Sequence, residues 1–279
     1  MKKNCCLLIL ALFYTCFSVA QIPTNGLVGW WPFDGNANDK SGNGNNAQVN
    51  GASLTQDRHG NYGHAYAFNG FNSFIRIPNS SLFSVQNNSS ITIACWIKGD
   101  INEPNINKYI ISKYSGEIGD GSALALGTGL QGNGYAWGEC NNKRGKEIRG
   151  NKTINDGNWH LITYTVVLGD LATLYIDGFP DRATQFTFKE GISNNLDLFI
   201  GCGANMAQFY SGAIDDVAIW NRKLSDEEIM NLFKAKPDGD KATSNVKAKP
   251  DIDKALASAI ATPDIDTNQA GNIGNVTTP

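Results

Sequence analysis

YSGAIDDVAIWNRKLSDEEIMNLFK, residues 210–234, reads as a buried strand, a turn and one short amphipathic helix. Successive side chains of a strand alternate between faces. Ile214, Asp216, Ala218 and Trp220 are therefore expected on one face, and Ala213, Asp215, Val217 and Ile219 on the other. Both faces are apolar apart from the two aspartates, which predicts a strand covered on both sides. Two adjacent carboxylates in such a strand are costly unless paired or liganded. The helix is marked at its start. Ser225 with Glu228 makes a capping box, Asp226 and Glu227 complement the helix dipole, and Leu224 and Ile229 have the spacing of a hydrophobic staple. Ile229, Leu232 and Phe233 supply the stripe that lays the helix on a sheet.

Upstream, residues 26–233 are rich in glycine and asparagine and divide into about a dozen short strands separated by turn chemistry. Residues 27–33 form an aromatic strand running into a loop of Asp, Asn, Gly and Ser. Residues 64–69 and 73–78 flank an Asn69-Gly70 turn, and 91–99, 108–115, 122–128 and 134–139 follow, with a polar, basic loop at 141–146. Within 91–99, Ile91, Ile93, Cys95 and Ile97 share one face; Thr92, Ala94, Trp96 and Lys98 share the other. Residues 158–168 are the longest strand, Gly169-Asp170 turns it into 172–176, and Asp177-Gly178 carries a type I′ hairpin signal. Residues 197–202 precede the closing segment. Turns this short leave no room for βαβ crossovers. The expectation is an all-β, two-sheet antiparallel jelly-roll sandwich with one short C-terminal helix.

The ends read differently. Residues 1–20 have the form of a signal peptide, with Lys2 and Lys3, an apolar run over 5–17, and Ser18-Val19-Ala20 before Gln21. About 13 apolar residues are too few to span a bilayer. Cys16 follows Phe13-Tyr14-Thr15, not the small residues of a lipoprotein signal. Cleavage after Ala20 would leave a soluble secreted or cell-surface chain with 21 basic and 26 acidic residues, a formal charge of −5. No basic patch points to nucleic acid, and no membrane insertion is expected. Cys95, Cys140 and Cys202 would remain, an odd number that allows at most one internal disulfide; Cys95 and Cys202 read as buried thiols. Residues 235–279 carry KAKPDIDKA as a repeat of KAKPDGDKA, with Pro237, Pro250 and Pro263 thirteen residues apart. That stretch has no aromatic residue and reads as a disordered tail. Its Asp-x-Asp units lack the glycine and glutamate of an EF-hand loop.

Four segments stand in one order: GLVGWWPFDGNANDKSGNGNNAQV (26–49), ITIACWIKG (91–99), NWHLITYTVVLGDLATLYIDG (158–178) and YSGAIDDVAIWNRKLSDEEI (210–229). Together they resemble the laminin-G-like, concanavalin A-like lectin/glucanase jelly-roll domain of secreted bacterial proteins, over residues 26–233. Cys95 departs from the family, which more usually has a small residue there. The fold hosts lectins, glycan-binding modules, glycosidases and adhesive domains, so the resemblance implies architecture and not one activity.

The resemblance makes the first and last strands neighbours. That would gather Asp34, Asp39 and one of Asp215 or Asp216 around the carbonyls of residues 35–38. Calcium takes six to eight oxygens in flexible geometry, and many family members hold a structural calcium, so Ca2+ is the cofactor implied at Asp34, Asp39, Asp215 and Asp216. The alternative has Asp34 capping its turn and Asp215 bonding backbone amides. For sugar recognition, Tyr135, Trp137, Asn141, Asn142 and Arg144 combine stacking faces with groups that bind hydroxyls, and Phe209 and Tyr210 form a second set. Trp30, Trp31, Trp96, Trp159 and Trp220 read as packing; Trp137 is open to both readings. Catalysis has little support. The Glu-x-Asp-x-x-Glu strand of laminarinase-type hydrolases, which sets two carboxylates ~5 Å apart, is absent. Glu139 has no partner at strand spacing, His59 and His64 have no ligand-spaced neighbour, and His160 reads as a hydrogen-bonded structural histidine. The sequence thus points to a non-catalytic recognition or adhesion module for extracellular glycan, with a protein partner as the alternative and a diverged glycoside hydrolase behind both.

Overall fold

The computed structural model describes residues 22–101, 107–114, 123–129, 135–141, 147–187, 189–191 and 193–235, with backbone only at 123, 124 and 141. Residues 1–20 and 236–279, and with them the signal-like segment and nearly all of the repeat tail, lie outside the described residues. In chain order the strands are β1 Leu27–Trp31, β2 Gln48–Asn50, β3 Ser53–Gln56, β4 Tyr62–Asn69, β5 Phe74–Ile77, β6 Ser90–Gly99, β7 Lys108–Ser112 and β8 Ala123–Thr128. There follow β9 Tyr135–Asn141, β10 Glu147–Thr153, β11 Trp159–Val167, β12 Leu171–Ile176, β13 Phe179–Gln185, β14 Leu198–Ile200 and β15 Ser211–Trp220, then helix α1 Asp226–Lys234. They form two sheets. The first runs β13-β12-β11-β6-β15-β4-β3 with β1 paired to β15; the second runs β10-β9-β8-β7-β14-β5-β2. The pairings are antiparallel, including β1 with β15. This is the expected sandwich, with first and last strands side by side.

The core lies between the sheets. Ile93, Cys95 and Ile97 of β6, Ile162, Tyr164 and Val166 of β11, and Ile214, Val217 and Ile219 of β15 meet Ile75, Ile111, Leu126, Cys140 and Ile200 of the second sheet. The first sheet is also covered outside: Ala94, Trp96, Leu161, Ala218 and Trp220 pack under Ile229, Leu232 and Phe233 of α1. The capping box at Ser225 and Glu228 is present, and Phe233 stacks on Trp96 with ring centroids 5.8 Å apart. Cys95, Cys140 and Cys202 are free and buried.

Two features differ from the sequence pattern. The strands it leaves unmarked, β2, β3 and β10, with β13 implied only as the second arm of a hairpin, are the outer strands of the two sheets. The second concerns the aspartates. Asp215 opposes Trp96 while Ala218 opposes Ala94, so β15 carries one extra residue at a β-bulge. Asp216 sits there with φ 47°. The bulge shifts the alternation by one residue. Ile214 therefore joins Val217 and Ile219 in the core, while Ala218 and Trp220 face α1. Asp215 and Asp216 both meet one arginine, not opposite sides of the sheet.

A cleft on the outer face of the first sheet

Ala218 of β15 is paired with Ala94 of β6, and these two small side chains leave a hollow among Trp30, Trp96 and Trp220. The hollow is a cleft of about 400 Å³. Ile22, Thr24, Leu232 of α1 and the loop between β3 and β4 line it, with Asp34, Lys40 and His64. Asp57 shapes that loop. Its carboxylate accepts from the amides of His59 and Asn61, both at 2.8 Å, and from Asn61 Nδ2 at 3.0 Å. Burial works to raise the Asp57 pKa, but these bonds outweigh it and hold the group below its ordinary value. The turn places Arg58 inside the cleft.

Arg58 is the centre of the arrangement. Its Nη1 donates to Asp215 Oδ2 at 3.1 Å and to Asp216 Oδ2 at 2.7 Å, and its guanidinium lies 4.5 Å over the Trp96 ring. The Asp216 amide donates to Asp215 Oδ1 at 2.7 Å. One guanidinium faces two adjacent carboxylates, of which Asp215 is 2% exposed. Burial first, and then the neighbouring Asp216, push Asp215 well above the usual carboxylate range. Burial also raises Asp216, against the pull of Arg58 and a hydrogen bond from Trp30. Burial and mutual repulsion thus work against ionising both carboxylates at once, and Arg58 works for it. Also at the cleft, His64 Nδ1 lies 2.5 Å from Asp34 Oδ1. Burial and the charge of Arg58 hold the His59 pKa below its ordinary value. The cleft thus presents hydrogen-bond donors, acceptors and indole surface together.

Of the residues expected to hold calcium, Asp34, Asp215 and Asp216 line this cleft and Asp39 does not. Asp39 Oδ1 accepts from the amides of Trp30 at 3.0 Å and Ser41 at 2.8 Å; Oδ2 accepts from Ser41 Oγ and the Asn45 amide, both at 2.9 Å. It organises the loop after β1. Asp215 and Asp216 already face a guanidinium. Among the described residues no group of three or more His, Cys, Asp or Glu side chains is placed to hold a metal ion. These four carboxylates do not fit the oxygen shell that calcium requires.

The residues expected to stack on sugar are placed elsewhere. Tyr135 and Trp137 lie on β9 in the second sheet. Trp137 is 2% exposed, donates from Nε1 to Thr128 O at 3.3 Å and meets Tyr109 edge-on at 5.0 Å. It packs; its faces are covered. Asn141 ends β9, but its side chain, together with Asn142 and Arg144, lies outside the described residues. Tyr210 is buried and Phe209 half-buried. Glu139 does have a partner, Glu147, directly opposite on β10. Burial and then Glu147 raise Glu139 to about 7. Spacing along one strand could not show this, because the partner comes from across the ladder. Arg58 and Asp57, central to the cleft, were also not apparent from the sequence; an Asp-Arg-His-Gly-Asn turn is a common loop composition.

The family described as the concanavalin A-like lectin/glucanases superfamily, Laminin_G_3, matches residues 68–230. That is more than half of the chain, and the protein belongs to this superfamily. No curated protein matches the sequence. Among solved structures, the binding domain of Paraclostridial Mosquitocidal Protein 1 is similar with a TM-score of 0.61 and 21% identity, covering 75% of this chain and 52% of that one. Domain 4 of AbnA, an extracellular GH43 arabinanase from Geobacillus stearothermophilus solved with arabinotriose, has a TM-score of 0.57 and 18% identity, covering 75% and 98%. The botulinum neurotoxin serotype D binding domain has a TM-score of 0.58 and 17% identity, covering 76% and 51%. At these identities the likeness is one of fold. The chain spans about half the length of the mosquitocidal-protein and neurotoxin binding domains and nearly all of the arabinanase domain.

Proposed function

We propose that the protein is a secreted, non-catalytic recognition module that binds extracellular carbohydrate in the cleft on the outer face of the first sheet. The observation that carries this reading is the cleft itself. The half-buried indole of Trp30 stands beside donors and acceptors of both kinds, Lys40, Asn61, Asp34 and His64, in about 400 Å³. Sugars need such a mixture, because each ring has an apolar face and a rim of hydroxyls, and pockets of this size are ordinary ligand sites. The arabinotriose bound to domain 4 of the arabinanase supports a carbohydrate ligand on this architecture. The signal-like form of residues 1–20 supports secretion. An exposed Phe71, 77% accessible on a turn whose amides are held by Asn69 Oδ1, favours a protein partner as the second reading.

Isothermal titration of residues 21–279 with arabinotriose and a panel of soluble polysaccharides tests the proposal. Trp30→Ala is expected to weaken binding at least about tenfold, from the aromatic surface lost; Trp137→Ala should cost stability without a comparable loss of affinity in the folded fraction. Equal affinity in wild type and Trp30→Ala would remove the cleft as the site. No binding to any polysaccharide would move the assignment to a protein partner.

A further inference from the structure

We propose that His160 is a proton-operated clamp that sets how firmly α1, which lines the cleft through Leu232, is held, so that ligand binding there weakens as pH rises. This rests on the cleft being the binding site and adds its regulation. His160 is 6% exposed. Its Nδ1 lies 2.9 Å from Asp177 Oδ2, and its Nε2 lies 3.1 Å from Asp156 Oδ1. A neutral imidazole has one N–H and one lone pair. Only the imidazolium donates to both carboxylates, and a neutral ring must set a lone pair against one of them.

The charged groups around it come from three segments. Asp177 belongs to the turn between β12 and β13, Asp156 to the loop between β10 and β11, and Lys152 of β10 donates to the same Asp177 Oδ2 at 2.5 Å. On β6 the residue opposite is Ile97. The hydrogen bond to Asp177, followed by the charge of that group and of Asp156, raises His160 above its ordinary value of 6.5. The native state therefore prefers the charged ring. The stabilisation is complete below 6.5 and is lost as pH rises through the higher folded-state value.

The clamp reaches the cleft by contact. Asp177 is in the left-handed region at φ 55°, and its Oδ1 accepts from the amide of Leu161, a cleft residue, at 3.1 Å. Gly178 follows it in the turn. A Cβ at Gly178 would stand 3.1 Å from Phe233 Cβ and 3.2 Å from the end of Met230, so the turn abuts α1. Phe233 stacks on Trp96, and Trp96 carries Arg58. Coupling between sites needs an element with two arrangements, and the protonated and neutral clamp supply them.

Hydrogen exchange of the α1 amides, corrected for intrinsic rates, tests this between about pH 6 and about pH 9. It should be run on wild type, His160→Gln and Asp156→Asn, each with an arabinotriose titration. Wild-type protection of α1 is expected to fall about tenfold across the window, with affinity falling alongside it. The fall should move to lower pH in Asp156→Asn and shrink in His160→Gln to the part that the raised Asp215 and Asp216 carboxyls set. A flat wild-type profile, or the same fall in His160→Gln, overturns the clamp, as does an affinity that ignores pH while α1 loosens. If His160→Gln does not fold, an unmoved profile in Asp156→Asn is equally decisive. Loss of α1 protection with no sugar binding at any pH would retain the clamp and refute the ligand reading instead.

Discussion

Asp215 and Asp216 show how much one inserted residue can change. Alternation is legible in the sequence on both sides of them, but the bulge is not, because it is set by the register of β15 against β6. With its phase shifted, the strand places two carboxylates on one guanidinium. Asp215 has its pKa raised in the folded state above the ordinary 3.8. Folding therefore takes up a proton at intermediate pH, and stability falls as pH rises from about 4 towards the folded-state value. Asp215→Asn keeps the acceptor for the Asp216 amide and leaves Asp216 paired with Arg58. The variant is expected to be more stable than wild type at pH 7 by on the order of 1 kcal/mol, with the gap closing toward pH 4. Urea unfolding at both pH values measures it. A variant less stable at pH 7 would mean that Arg58 holds both carboxylates ionised.

At the scale of elements, the strongest local signals were the most faithful. The capping box formed as written: Glu228 donates its amide to Ser225 Oγ at 3.1 Å and accepts the Ser225 amide at 2.8 Å. Bonds from Arg222 hold the Glu228 carboxyl down at about 2. Ser225→Ala should cost about 1 kcal/mol, read as a lower chemical-denaturation midpoint with an unchanged slope. No change would show that sheet packing alone fixes the helix. The strands that escaped the sequence pattern share a physical cause. β2 and β13 are largely exposed, and β3 is nowhere buried. β10 buries only two residues among exposed neighbours. An outer strand with no fully covered face has no reason to alternate, so period two is absent from its sequence. Buried strands such as β6 and β11 carried their faces plainly. The cleft was legible only in part: Asp34, Asp215 and Asp216 were singled out for a metal ion, whereas Arg58 is brought to them by a hairpin from 157 residues away in the chain.

At the scale of the molecule, two largely buried cations each sit among oxygen atoms. Arg58 serves the aspartate pair, and Lys113, 2% exposed, serves the loops at the other sheet. Its ammonium donates to Asn79 Oδ1 and Asn194 Oδ1, both at 2.8 Å, to Asn194 O at 3.0 Å and to Leu196 O at 2.5 Å. Burial lowers the Lys113 pKa to about 8. This is an oxygen cage of the kind that loops often build around a metal, filled by a tethered cation. The thermal midpoint in calcium and in EGTA is accordingly expected to agree within about 1 °C. A rise of several degrees in calcium, lost in Asp34→Ala, would place an ion at the cleft and displace Arg58 from its role.

The two ends of the described fold meet at one place. Trp220 Nε1 donates to Pro23 O at 2.7 Å, Arg222 Nε donates to Asn25 O at 2.7 Å, and both Ile22 and Ala235 line the cleft. A module joined directly before Ile22 or directly after Ala235 would therefore begin at the lining of the cleft. Such a neighbour acts as a tethered competitor at high local concentration if its surface fits, and as a steric shield if it does not.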